Sequence, residues 1–306
     1  MTAPPYRDPS DVPLGSILGG RYRLEDVVGE GATSRVYRAE DAESGVDVAI
    51  KVFAFAGRAA NKSFRRFVRE LQINAELRHS AFPDLLDSGY VDESGAPYLV
   101  MELLEGETLA ELLERGPMTP RELLPIVEPV VDALEQAHGR GFVHRDVKPA
   151  NVFLVAGPDR RFVKLLDFGV SLHTEDPRLT AEGAVVGTPH YLAPELILFE
   201  SEPDRRVDVY ALGVLIYRAI TGRLPYTGSN LRDLVRAIDD GDLAPTTDHC
   251  DASNPAIDRV LEHALAREPD RRYESARALL VAFRSAVETR TSHPPEAPPP
   301  AAQLAE

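Results

Sequence analysis

The chain has 306 residues, 43% of them hydrophobic and 27% charged, with 49 acidic against 34 basic side chains and a formal net charge of −15. Such a length fits two domains or lobes of roughly 150 residues, and the composition excludes disorder of the whole chain. A net anion repels nucleic acid and anionic lipid, which excludes both as expected partners.

The longest apolar run, Val209–Tyr217, is far short of the ~20 residues of a membrane-spanning helix. The start, Met1-Thr2-Ala3-Pro4-Pro5, lacks a signal-peptide pattern. Cys250 is the single cysteine and can form neither an internal disulfide nor a metal cluster, so a cytoplasmic setting is expected. Only four of the 34 basic residues are lysines: Lys51, Lys62, Lys148 and Lys164. A chain that prefers arginine keeps lysine either where chemistry needs it or through codon bias.

In chain order, a flexible N-terminal arm is expected over 1–19. A strand-rich lobe follows over 20–103, then a helical lobe over 104–288, and a Pro-rich disordered tail over 289–306. The first lobe reads as strands at Tyr22–Val28, Arg35–Ala39, Val46–Phe53, Leu85–Val91 and Tyr98–Glu102, with Ser44-Gly45 and Ser94-Gly95 as turns. One helix interrupts at about Lys62–Arg78, where Phe64, Phe67, Val68, Leu71 and Ala75 keep a helical period. Thr119-Pro120-Arg121-Glu122 signals an N-cap, a proline at the first helical position and a capping-box glutamate. Pro125 and Pro129 then predict a kink or a late start. Val209–Thr221, nearly apolar all round and stopped by Gly222, predicts a buried central helix. The class is α+β and bilobal, with a cleft between the lobes.

Several segments carry chemistry. Gly29-Glu30-Gly31-Ala32-Thr33-Ser34-Arg35-Val36 is a glycine hairpin able to approach a polyphosphate, although an ordinary hairpin looks the same. Lys51 follows in Val48-Ala49-Ile50-Lys51, where alternation sends Ala49 and Lys51 to one face; a surface lysine snorkelling from an edge strand is the plainer alternative. Glu70, on the amphipathic helix, is placed to pair with Lys51 or simply to face solvent. In His144-Arg145-Asp146-Val147-Lys148-Pro149-Ala150-Asn151, the aspartate can accept a hydroxyl proton, the lysine can neutralise a phosphoryl group and the asparagine can ligate a metal. Asp167-Phe168-Gly169, after a short strand at Phe162–Leu166, adds a carboxylate suited to Mg²⁺, and Gly187-Thr188 and Ala193-Pro194-Glu195 follow.

These segments, in this order, resemble those of the eukaryotic-like bacterial serine/threonine protein kinases over about residues 20–288. The resemblance implies a bilobal kinase fold and transfer of the ATP γ-phosphoryl group to serine or threonine of proteins, including autophosphorylation. It implies that Gly29, Gly31 and Val36 cover the nucleotide and that Lys51, paired with Glu70, binds its phosphates. Met101 matches the gatekeeper, the backbones of Glu102 and Leu104 would bond the adenine, and Ala49 and Phe153 would sandwich it. Asp146 becomes the catalytic base, Lys148 its phosphate-neutralising partner, and Asn151 and Asp167 the ligands of Mg²⁺, with Mn²⁺ as a substitute. Thr188 would bond Asp146 and Lys148, Glu195 would pair with Arg272 to brace the substrate platform, and Asp208 would cap the catalytic loop.

Ser34 replaces the third glycine of the loop, and Asn74 stands where an apolar residue is usual, which suggests a marginal helix position and activation by a homodimer through the strand-rich lobe. Thr180 is the expected activation-loop phosphosite, answered by Arg145 and Arg66, with Thr174 as competitor and Glu182 as a permanent charge nearby. A pseudokinase scaffold and a small-molecule phosphotransferase are the alternatives; the intact Lys51, Asp146, Asn151 and Asp167 argue against the first, and the Gly187–Glu195 platform against the second.

Overall fold

A computed structural model describes residues 11–31, 34–54, 64, 67, 68, 70–72, 76, 77, 79–92, 94–157, 162–167, 189–198 and 204–289. The expectations for Asn74, Arg66, Phe168, Gly169, Thr174, Thr180, Glu182, Gly187 and Thr188 lie outside the described residues.

The strand-rich lobe is one antiparallel sheet of β1 (Ile17–Leu18), β2 (Tyr22–Gly31), β3 (Ser34–Asp41), β4 (Asp47–Phe53), β5 (Leu85–Tyr90) and β6 (Pro97–Glu102), ordered β1-β2-β3-β4-β6-β5. Leu24, Tyr37, Ile50, Val52 and Val100 are buried together in its core. β4 is the innermost strand, and only its first residue is exposed. Phe64, Phe67, Val68, Glu70, Leu71 and Glu76 are helical, and Phe67 meets Phe53 edge-on at a ring separation of 5.7 Å.

Two short strands escape the sequence reading. β1 extends the sheet inside the segment read as a flexible arm: Val12 is buried, its N–H donates to the Tyr37 hydroxyl (2.8 Å), and Gly15 N–H donates to Leu24 O (2.8 Å). The arm is therefore packed from residue 11 onward. β7 (Gly106–Thr108) pairs with β8 (Val152–Val155), which pairs with β9 (Phe162–Leu165). Gly106 is required there, because a Cβ would stand 2.1 Å from Leu154 O at a φ of 152°.

The helical lobe comprises α1 (Leu109–Glu114), α2 (Pro120–His138), α3 (Pro194–Leu198), α4 (Arg206–Thr221), α5 (Leu231–Asp240), α6 (Pro255–Ala264) and α7 (Ala276–Glu288). α4 is buried on every side and ends at Gly222 in the left-handed conformation. α2 starts at Pro120, with Thr119 and Glu122 making a reciprocal capping box. The expected late start does not occur, and the helix is continuous through Pro125 and Pro129. The carbonyls those prolines leave without donors belong to Arg121 and Pro125, which are exposed, so they lie on the solvent side of the helix. Meanwhile Leu123, Ile126, Val127, Val130 and Val131 are buried along the opposite stripe. Replacing Thr119 by alanine removes the hydroxyl that accepts from Glu122 N–H, leaves the Thr119 N–H bond to the Glu122 carboxylate, and is expected to cost about 1 kcal/mol, read as a lower urea midpoint at unchanged slope.

Candidate active site

The two lobes enclose a cleft of about 390 Å³ whose lining includes Val28, Val36, Ala49, Lys51, Glu70, Met101, Glu102, Leu104, Phe153 and Asp167. Strand alternation puts Ala49 and Lys51 on the same face of β4, opposite Met101 and Leu99 of β6. Phe153 comes from β8 in the other lobe. Glu102 N–H is already donated to Asp84 O (3.0 Å), whereas among the described residues Leu104 N–H has no backbone acceptor.

Gly29 and Gly31 lie on the hairpin beside Val28 and Val36. A Cβ at Gly29 would meet Val36 at 3.5 Å and one at Gly31 would meet Ser34 O at 3.4 Å. The protein itself therefore does not demand glycine at Gly29. Bare backbone there allows a ligand in the cleft to approach the hairpin closely.

Lys51 is buried, and its ammonium donates to both carboxylate oxygens of Glu70 (3.1 Å each) and to Asp167 Oδ1 (2.7 Å). Burial by itself pushes the Lys51 pKa down, but the Asp167 and Glu70 charges outweigh it and hold the group above its usual range. Burial likewise raises the Asp167 carboxyl while Lys51 lowers it further, so it lies below the usual carboxylate value. Lys51 and Asp167 are therefore both charged throughout the neutral range.

A second cluster stands on the loop before β8. Lys148 Nζ donates to Asp146 Oδ1 (2.9 Å) and Oδ2 (2.7 Å), and Asn151 Nδ2 donates to Asp146 O (2.8 Å) and Oδ2 (2.9 Å). Leu166 links the clusters: its N–H donates to Asn151 O (2.7 Å), and its carbonyl accepts from His144 Nε2 (3.1 Å). His144 Nδ1 accepts from Asp146 N–H (3.3 Å), so the ring is the neutral tautomer.

The loop hangs from Asp208 on α4. This buried carboxylate accepts from His144 N–H (2.9 Å) and Arg145 N–H (2.7 Å) and bonds His138 Nε2 (2.7 Å). It fixes Arg145 at a φ of 65°, in the left-handed region that side chains rarely adopt. Farther out, Arg272 and Glu195 form a buried bidentate pair at 2.7 and 2.8 Å, and Arg272 also donates to Ala266 O and Arg267 O.

Sequence reasoning missed one group. Lys164 on β9 donates to Phe82 O (3.1 Å) and pairs with the Glu102 side chain, which also accepts from Asp84 N–H (2.7 Å). Its one signal was scarcity: three of the four lysines, Lys51, Lys148 and Lys164, stand around this cleft.

The donors suit a hard cation accompanying a polyphosphate. Lys51 takes only Asp167 Oδ1, and Asn151 commits its amide nitrogen to Asp146, which leaves one oxygen of each. Among the described residues no cluster of three or more His, Cys, Asp or Glu could hold a metal alone.

A family model described as the protein kinase domain matches residues 22–283. Serine/threonine-protein kinase PknL of Mycobacterium tuberculosis (strain ATCC 25618 / H37Rv) is 36% identical over 274 residues, covering 89% of this chain and 66% of that protein. Probable serine/threonine-protein kinase SCO3848 of Streptomyces coelicolor is 39% identical over 266 residues, covering 85% of this chain and 39% of that protein. The chain thus spans less than two thirds of either curated relative. The crystal structure of the Mycobacterium tuberculosis PknI kinase domain superposes with a TM-score of 0.69 at 28% identity, over 90% of this chain and 99% of that one. That of Rad53 1-466 in complex with AMP-PNP gives 0.68 at 26% identity, over 85% of this chain and 64% of that one.

Two predictions follow from this geometry. Arg272→Ala strands a buried Glu195 carboxylate and is expected to cost about 3–5 kcal/mol, measured by chemical denaturation. Burial depresses the His144 pKa below its ordinary 6.5, against the pull of Asp208 and Asp146. The unfolded chain then takes up that proton first, so His144 contributes stability above about 6.5 that is lost as pH falls through the folded value. In an NMR titration its ring resonances should keep neutral-form shifts at pH 6.5; half-protonation there would contradict this.

Proposed function

Because the chain belongs to the protein kinase domain family, we propose that it transfers the γ-phosphoryl group of ATP to serine or threonine hydroxyls of proteins. The observation that carries this is Lys51, held by Glu70 and Asp167 at the cleft, with Leu166 joining that trio to the Asp146–Lys148–Asn151 cluster. The crystal structure of Rad53 1-466 in complex with AMP-PNP supports nucleotide binding.

On this reading Lys51 binds the α- and β-phosphates, the glycine hairpin with Val36 covers them, and the adenine lies between Ala49 and Phe153. Met101 borders its inner edge, and the carbonyl of Glu102 and the amide of Leu104 bond it. Asp146 orients the acceptor hydroxyl and takes its proton. Lys148, resting on Asp146 here, turns to the transferring group and neutralises it. Asp167 and Asn151 would hold Mg²⁺, or Mn²⁺ in its place, which when bound neutralises phosphate charge. The rate gain comes from positioning and charge stabilisation.

Glu195 with Arg272, and Thr188 beyond the described residues, would support the acceptor peptide. Thr180 is the proposed phosphosite on sequence grounds alone. A homodimer through the strand-rich lobe belongs to the same reading and is supported by exposed Leu86 and Tyr90 on the edge strand β5. A cytoplasmic setting is supported by the lone Cys250.

The test is transfer from radiolabelled ATP to the chain itself and to a peptide library, with phosphosites mapped by mass spectrometry. Lys51→Met and Asp167→Asn should each lower transfer by about 10²-fold or more while the thermal midpoint of a folded variant is retained. Undiminished transfer in both, or substantial phosphotyrosine, would sink the assignment. Nucleotide binding without transfer in the parent chain would point to a scaffold.

A further inference from the structure

The helical lobe holds a second cavity, of about 700 Å³, which shares no lining residue with the cleft. Its floor is apolar, formed by Ile238, Leu243, Leu265 and the ring of Tyr226. Its rim is mostly acidic. Asp239 is already paired with the rim's one base, Arg267 (2.9 Å), and Glu268 reaches Arg271 only at 3.8 Å. Glu262 has no ion-pair partner among the described residues.

Tyr226 is only 8% exposed, yet among the described residues its hydroxyl makes no hydrogen bond. Burial, then the Tyr217 hydroxyl and the carboxylates of Glu262 and Asp242, push its pKa up, so it remains a neutral phenol. The hydroxyl borders the open cavity, so its donor and acceptor are available to a ligand that enters there.

An apolar floor below the unpaired Glu262, the loosely paired Glu268 and a free phenol selects an amphiphilic cation. Among the described residues no dense carboxylate or imidazole cluster exists for a metal. Arginine fits best: its stem covers apolar surface, and its planar head stacks on an aromatic ring while bonding oxygens in a fork. The chain's net charge of −15 favours such an approach.

We propose that this cavity docks an arginine side chain presented by an extended segment of a partner protein. The stem lies on Ile238 and Leu265, and the guanidinium lies between Tyr226 and the carboxylates of Glu262 and Glu268. Docking here gathers the partner at a surface remote from the nucleotide and does not depend on phosphoryl transfer.

The probe is the capped peptide Gly-Leu-Arg-Leu-Gly, compared with the same peptide carrying neutral, near-isosteric citrulline. The protein carries 3-fluorotyrosine, and Tyr226→Phe identifies the Tyr226 fluorine resonance. The arginine peptide should shift that resonance saturably, and the affinity should fall at least about fivefold with citrulline or in Glu262→Gln, each of which removes a charge-assisted contact. No shift, equal shifts from both peptides, or an affinity unchanged by Glu262→Gln would overturn the proposal. Glu262→Gln is a surface change, and its unaltered thermal midpoint checks that the fold is intact.

Discussion

A buried ammonium cannot stand without counter-charge, and that constraint organises the molecule. Lys51 sits on the innermost strand, where desolvation of a lone cation would be prohibitive. Its compensation comes from two places far apart in sequence, Glu70 on a helix of its own lobe and Asp167 at the end of β9 in the other. The cation is satisfied only while the helix is turned inward and the lobes are juxtaposed. One electrostatic requirement therefore couples a helix orientation, a lobe closure and the position of a carboxylate that faces the cleft.

The loop that carries Asp146 is irregular backbone, and it is held by a different principle. Apolar burial on every side fixes α4, and α4 fixes Asp208 in its first turn. The carboxylate then supplies the acceptors that irregular backbone lacks, and it holds Arg145 in a conformation the residue would not choose alone. Packing sets the helix, the helix sets the carboxylate, and the carboxylate sets the loop.

Much of this was legible because the signals are local. Alternation along β4 gave Ala49 and Lys51 a common face, and Thr119 with Glu122 announced a helix start. β1 and β7 were not legible, since two or three residues carry no periodicity. Pro125 and Pro129 misled as to the helix start because a propensity rule ignores which face the freed carbonyls occupy; exposure and a well-buried apolar stripe together outweigh it. The Lys164–Glu102 pair joins residues distant in the chain, and neither neighbourhood hints at the other. Only the scarcity of lysine pointed there. The same holds for the Tyr226 cavity, whose walls come from the approach to α5, the end of α5 and the end of α6, a juxtaposition that only the folded lobe creates.

The packing of residues 11–18 has a consequence for what counts as the folding unit. The family model's match begins at Tyr22, the first residue of β2, but β1 pairs with the outer edge of that strand at Tyr22 and Arg23. A chain cut at Tyr22 would bare the backbone donors and acceptors at the start of β2, around Tyr22–Leu24, and remove the Val12 N–H bond to the Tyr37 hydroxyl. Unpaired edges of that kind invite strands from neighbouring molecules. The segment that composition dismisses as a tether thus acts as a selvedge, keeping the sheet from growing into its neighbours.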